Sequence, residues 1–220
     1  MSEKRRRYLD YNATCPVRPE VIETVCAAMR TIGNSSSVHA EGRAARAIVE
    51  DAREKLRSLV NAPVNGVIFT GGGTEAIHYA LNGTVRNGAV KRILVSAIEH
   101  AAVPANAATT GVPVETIPAT GGGVADLGWL RSRLKDYDAK RDGGFLLCLM
   151  FANNETGVIQ PVREAAEIAH EKGGLLFIDA VQAVGKTPVN FVMSGADLLA
   201  LSAHKFGGPI GIGALIAGPN

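Results

Sequence analysis

The segment 198-LLALSAHKFGGP-209 passes from an unbroken apolar run into Ser202, His204 and Lys205, then into a Gly-Gly-Pro turn. A run that is apolar at every position, not at alternate ones, fits a strand covered on both faces. A lysine placed directly behind such a strand is costly to desolvate unless something partners it. Working outward, six more stretches are expected as strands: Val67–Thr70, Ile93–Ile98, Val112–Ile117, Phe145–Phe151, Leu175–Ile178 and Gly213–Ala217. Amphipathic segments lie between them. Pro19–Thr31 begins with a proline suited to a first helical turn. Ala40–Asn61 carries Ile48, Ala52, Leu56 and Val60 on one apolar face, with an Asp51–Lys55 pair outside it. Thr74–Val85, Ala101–Thr110, Leu127–Asp136 and Val162–Lys172 complete the predicted helices. Strand followed by helix, repeated, predicts an α/β fold: a mostly parallel seven-stranded sheet with helices on both faces. Ligands of such sheets sit beyond the carboxyl ends of the strands.

The chain has 220 residues, of which 46% are hydrophobic and 20% charged, enough for one large core. A net charge of +2 gives no electrostatic basis for binding nucleic acid. No apolar run approaches the length of about 18 residues that a membrane helix requires, so no membrane association is expected. The one basic run, Lys4-Arg5-Arg6-Arg7, is followed by Tyr8-Leu9-Asp10 and not by the apolar core of a signal peptide; it is expected to be a solvated tail. Cys15, Cys26 and Cys148 are far apart and show no CxxC spacing, which suits a reducing compartment and predicts a cytoplasmic protein. His39, His78, His100, His170 and His204 show no metal-ligand spacing, and no metal is expected. The glycines in Ala119–Ala125 suggest a flexible turn.

Four groups at predicted strand ends carry chemistry. In 67-VIFTGGGTEA-76 a strand meets three glycines and Thr74 opens a helix. Glycines permit close backbone approach, and a helix N-terminus offers free N–H groups, so the stretch suits a phosphate. Thr74 would also serve as a plain helix N-cap. Glu99-His100 follows the next strand; a histidine there can stack on a planar ring, move protons, or simply occupy a loop. Asp179 ends 175-LLFID-179, and Gln182 lies within reach of the same ligand. A buried carboxylate needs a cation or hydrogen-bond donors: a metal, a ribose hydroxyl, a protonated ring nitrogen, or the N–H groups of a helix it caps. Ser202, His204 and Lys205 end the strand after that, and neighbouring strands would bring Lys205 toward Asp179. A phosphate cradle, a carboxylate, a stacking histidine and a lysine make up the requirements of pyridoxal 5′-phosphate. Lys205 would form the Schiff base, Asp179 would keep the pyridine nitrogen protonated, and Thr74, Ser202 and His204 would hold the phosphate. A Rossmann-type nucleotide site resting on Gly71, Gly73 and Ala76, with Glu99 as its acid, is the rival; it leaves Asp179 and Lys205 unexplained.

These residues resemble the class V aminotransferase fold, and within it the cysteine desulfurases. The likeness extends over 8-YLDYNATCPV-17, 34-NSSSVHAEGRAAR-46, 67-VIFTGGGTEA-76, 98-IEHAAV-103, 152-ANNETGVIQPV-162, 177-FIDAVQAVGK-186 and 202-SAHKFGGPIGIG-213, in the order and spacing of that family. The resemblance implies an enzyme that takes sulfur from L-cysteine, leaving L-alanine and a protein persulfide, and passes it to a sulfur-acceptor protein for iron–sulfur or thio-cofactor synthesis. It assigns His100 to ring stacking, Gln182 to the ring hydroxyl, Gly73 to a backbone phosphate contact and Asn154 to the neighbourhood of the cofactor hydroxyl and substrate carboxylate. It implies an N-terminal segment over 1–15, a cofactor-binding large domain over 16–220, and a homodimer. Family members continue past the position of Asn220, into a small domain with the nucleophilic cysteine and a substrate-binding arginine; none of Cys15, Cys26 or Cys148 matches that cysteine. Gly71, Gly73 and Ile210 depart from the family pattern, the last where a lysine is usual. Selenocysteine lyase, another class V lyase, and a non-catalytic cofactor-binding fragment are the alternatives.

Overall fold

The computed structural model describes residues 6–219. Of the basic run, Lys4 and Arg5 lie outside them, while Arg6 and Arg7 are exposed. Seven strands form one sheet: β1 (Val67–Thr70), β2 (Arg92–Ser96), β3 (Val114–Ile117), β4 (Phe145–Met150), β5 (Leu175–Asp179), β6 (Leu198–Ser202) and β7 (Gly213–Ala217). Their order is β1-β7-β6-β5-β4-β2-β3. The pairs β3–β2, β2–β4, β4–β5 and β5–β6 are parallel. Only β7 runs the other way, antiparallel to both β1 and β6. The expected mostly parallel α/β sheet is therefore present.

The continuous apolar strands are buried on both sides, and successive residues serve two different cores. Leu147, Leu149, Leu176, Ile178, Leu199 and Leu201 face one. Leu146, Cys148, Phe177 and Ala200 face the other. Helices α5 (Leu127–Arg133) and α7 (Val162–Glu171) cover the first face through Leu130, Ala165, Ile168 and Ala169. Helices α3 (Gly73–Arg86) and α4 (Ala102–Ala108) cover the second through Ile77, Leu81, Val103 and Ala107. Two short helices, α6 (Ala139–Asp142) and α8 (Phe191–Ser194), escape sequence detection because four residues hold too little periodicity.

Three expectations need correction. Helix α2 (Ala40–Val60) forms, with its Asp51–Lys55 pair at 2.6 Å, but its apolar stripe is buried only at the end: Val60 is buried and Leu56 partly so, while Ile48 is 44% exposed. Its first turn packs at buried Gly42 against the preceding segment, where a Cβ would collide with the Ser37 carbonyl oxygen. Thr74 is not the N-cap of α3; Gly72 is, and Thr74 lies inside the first turn. The glycine-rich Ala119–Ala125 is a closed hairpin: its ends bridge, and buried Gln160 accepts from the Ala125 N–H at 3.0 Å and donates to the Gly123 carbonyl at 3.0 Å.

Leu147 is 1% exposed in the centre of the sheet. Leu147→Ala is expected to destabilise the chain by about 2–5 kcal/mol, read as a lower urea midpoint in equilibrium unfolding.

Candidate active site

Because β7 alone is reversed, the carboxyl ends of the other strands share one edge of the sheet. A cleft of about 270 Å³ opens there. From successive strand ends it receives Gly73 and Thr74 after β1, His100 after β2, Met150 and Asn154 from and after β4, Asp179 and Gln182 at and after β5, and Ser202, His204 and Lys205 at and after β6. All nine residues singled out from the sequence line this one cleft.

The turn from β1 into α3 is shaped for close approach. Gly72 has φ +154° and ψ 179°, a region essentially restricted to glycine. A Cβ on Gly73 would come within 2.9 Å of Val181 Cγ2, and one on Gly213 would stand 2.6 Å from the Gly72 carbonyl carbon. The turn thus lies flush against the start of β7 and the end of β5. The first intrahelical bond of α3 runs from the Ala76 N–H to the Gly72 carbonyl, so the N–H groups of Gly73 and Thr74 are left to face the cleft mouth.

Asp179 is 4% exposed. Its Oδ1 accepts from the Val181 N–H at 2.9 Å, a turn contact and not a helix cap, since β5 is followed by turns. Burial pushes its carboxyl up; the Val181 N–H, His100 and Lys205 pull it down. Among the described residues no Lys, Arg or His forms a salt bridge with it. A half-buried Lys205 Nζ donates to the backbone carbonyls of Asn12 at 2.7 Å and Ala13 at 3.0 Å. Burial lowers the pKa of this amine, against the pull of Asp10 and Asp179. Burial also lowers His204, and the Lys205 charge lowers it further. The His204 Nδ1 lies 2.6 Å from Thr14 Oγ1, leaving Nε2 for the cleft. On the other wall the His100 Nδ1 accepts from the Ala102 N–H at 3.2 Å, which orients the ring at the start of α4.

The sequence did not point to the strap formed by residues 10–15. Asn12 donates from Nδ2 to the Asn154 carbonyl at 2.9 Å, and its own carbonyl accepts from Gln182 Nε2 at 2.9 Å. Lys186 Nζ donates to Asn12 Oδ1 at 2.8 Å and to Gln182 Oε1. The Cys15 N–H donates to the His204 carbonyl at 2.8 Å. The stretch 8-YLDYNATCPV-17 carries the family resemblance, but no role for Asn12 or Thr14 is legible locally, because Thr14 acts on His204, 190 positions away. Cys148 is fully buried and its thiol pushed up by burial; Cys26 is exposed and Cys15 partly buried; all three are free thiols.

Residues 7–220 match the sequence family described as aminotransferase class V. This chain belongs to that family. Among its curated relatives, the IscS-like cysteine desulfurase of Mycobacterium tuberculosis is 39% identical over 95% of this chain and 54% of its own length. A cysteine desulfurase of Cereibacter sphaeroides is 41% identical over 96% of this chain and 54% of its own length. This class V chain therefore spans about half the length of the curated relatives it matches. Solved structures of similar fold include a NifS-like protein from Rickettsia africae (TM-score 0.86, 30% identity, covering 96% of this chain and 57% of that one). Another, titled SspA in complex with cysteine, has a TM-score of 0.86 at 28% identity and covers 96% of this chain and 61% of that one. No helix among the described residues is long and apolar enough to cross a membrane, and no cluster of metal-ligating side chains occurs among them.

Two causes, burial and Lys205, hold His204 below the ordinary histidine range. Its midpoint in a ring ¹⁵N NMR titration should therefore lie below about 6.5 and move upward in Lys205→Met, because removing the ammonium removes the second cause.

Proposed function

We propose that this chain is the cofactor-binding part of a pyridoxal-phosphate-dependent cysteine desulfurase, which takes sulfur from L-cysteine, leaves L-alanine and passes the sulfur to an acceptor protein. The observation that carries the proposal is the convergence of a buried carboxylate without a cationic partner, a lysine with a lowered pKa, and a glycine-rich helix N-terminus in one cleft. The curated relatives, named cysteine desulfurases, supply the substrate class.

The donor set fits the cofactor on chemical grounds. Free N–H groups at Gly73 and Thr74, with the Ser202 hydroxyl and His204 Nε2, would hold a phosphate dianion at the positive end of α3. Asp179 would hold a proton on the ring nitrogen, and that cation would draw Asp179 back to the ionised form against its burial. His100 would cover one ring face, while Gln182 and Asn154 would hydrogen-bond the ring hydroxyl side. When bound there, pyridoxal phosphate supplies an electron sink for charge developing at the substrate Cα. Lys205 is the one amine lining the cleft. Its lowered pKa raises the unprotonated fraction at neutral pH; the free amine would hold the cofactor aldehyde with loss of water and, once displaced by the substrate amine, would be free to take the Cα proton. To do either, it must leave the carbonyls of Asn12 and Ala13.

The persulfide-bearing cysteine is assigned to none of the three thiols: Cys148 lies within β4, Cys26 within α1 (Pro19–Met29), and Cys15 is tied by its backbone to His204. The exposure of Leu9, Met29, Ile32 and Val38 is consistent with a homodimeric intact enzyme that covers them; residues 1–15 are proposed as an N-terminal segment ahead of the large domain. Free thiols throughout are consistent with a cytoplasmic setting.

Incubated with pyridoxal phosphate, the chain is expected to develop a visible absorbance band. Borohydride should then fix the cofactor to Lys205, as located by peptide mass spectrometry, and Lys205→Ala should develop no band. A band that persists unchanged in Lys205→Ala would overturn the assignment.

A further inference from the structure

A second carboxyl, with a buried oxygen, lies behind the cleft residue Met150, and nothing above gives it a task. Glu99 stands between the end of β2 and His100. Its Oε1 accepts from the Met150 backbone N–H at 2.6 Å. Its Oε2 is buried and has no hydrogen-bond partner among the described residues. The first contact meets a need of the sheet. Strand β2 pairs with β4 only as far as Val95 opposite Cys148, so Met150 extends beyond the last β2 partner and the Glu99 carboxyl stands in for the absent strand. A second tie holds the same loop, from Asn153 Nδ2 to the Ile98 carbonyl at 2.9 Å. Together they fix the residues immediately before His100.

On its other side Met150 pairs with Asp179 of β5. Glu99 and Asp179 therefore flank the same strand end, where neighbouring strands stand about 4.8 Å apart. Two ionised carboxylates in that position would repel each other, with half of one wholly unsolvated and unbonded. The titratable groups that face Glu99 are Asp179 from β5 and the Cys148 thiol from β4, and neither can be a cation. The nearby basic side chains, His100 and Lys205, act on Asp179. Burial first, and the Asp179 charge second, push the Glu99 carboxyl well above the usual carboxylate range.

We propose that Glu99 is a positioning residue that stays the neutral acid at neutral pH, pinning the His100 loop to the end of β4 and leaving Asp179 as the only anion of the two carboxyls at that strand end. A neutral acid keeps the Oε1 acceptor that Met150 needs and avoids burying a second charge. Its meaning for catalysis rests on the pyridoxal-phosphate assignment: one anion at this strand end matches one protonated ring nitrogen.

The test uses the cofactor-free chain with ¹³C-labelled glutamate. Infrared spectra at pH 7 should contain the carbonyl stretch of a protonated acid, and Glu99→Gln should remove it. Glutamine offers the same acceptor without ionising. Hydrogen exchange at the Met150 amide should stay within about threefold of wild type in Glu99→Gln and rise roughly ten- to hundredfold in Glu99→Ala, the range set by losing one buried hydrogen bond. Absence of the acid band, or exchange in Glu99→Gln more than about tenfold faster than wild type, would overturn the proposal. Both of those readouts survive if Glu99→Ala does not fold. A wild-type chain that takes up no pyridoxal phosphate would remove the cofactor assignment and leave both results on Glu99 standing.

Discussion

Everything in this molecule follows from covering a largely parallel sheet on both faces. Such strands have no solvent side on which to place polar groups, so β4 is apolar throughout and β5 and β6 are apolar up to their last residues, Asp179 and Ser202. Functional side chains are left only the positions where strands stop. The sheet's shared polarity then gathers those stops on one edge, which is why a carboxylate, an imidazole and a lysine from three separate connections meet in one cleft. Chemistry here is a boundary effect of hydrophobic packing.

The cleft is governed by desolvation more than by charge pairing. Asp179 and Glu99 are pushed toward the neutral acid, and Lys205, Lys186 and His204 toward the neutral base, with burial the leading cause in every case. Opposite charges could offset this by direct contact, yet Lys205 bonds two backbone carbonyls and not Asp179. Lys205 and Asp179 are thus held at the cleft wall by backbone groups and neither neutralises the other, an arrangement in which an incoming ligand with anionic and cationic parts finds partners already set in place.

What was legible in the sequence was whatever depends on local pattern. Runs such as Leu198–Ser202 announce buried strands, and the polar residue that breaks each run announces a site residue, so Asp179, Ser202 and Lys205 were visible directly. What was hidden depends on partners distant along the chain. The burial of α2 is decided by what packs against it, so its amphipathic stripe was misleading over Ile48. Thr74 looked like a cap because threonine is a good one, but the extreme backbone angles at that turn admit only Gly72. The strap at Asn12–Thr14 and the carboxyl of Glu99 act through single contacts to His204, Lys205 and Met150, which no periodicity encodes.

The wedged position of β7 has a consequence for the birth of the protein. Strand β1 finds its ladder partner only in β7, with Val67 opposite Ile216, and β7 is the last strand along the chain. The glycine turn after β1 therefore gains its ladder support only from a strand about 140 residues further along the chain. Such distant pairing makes closure the slow, late event of folding. Within this segment the glycine turn of the cleft is therefore the part whose support is supplied last along the chain.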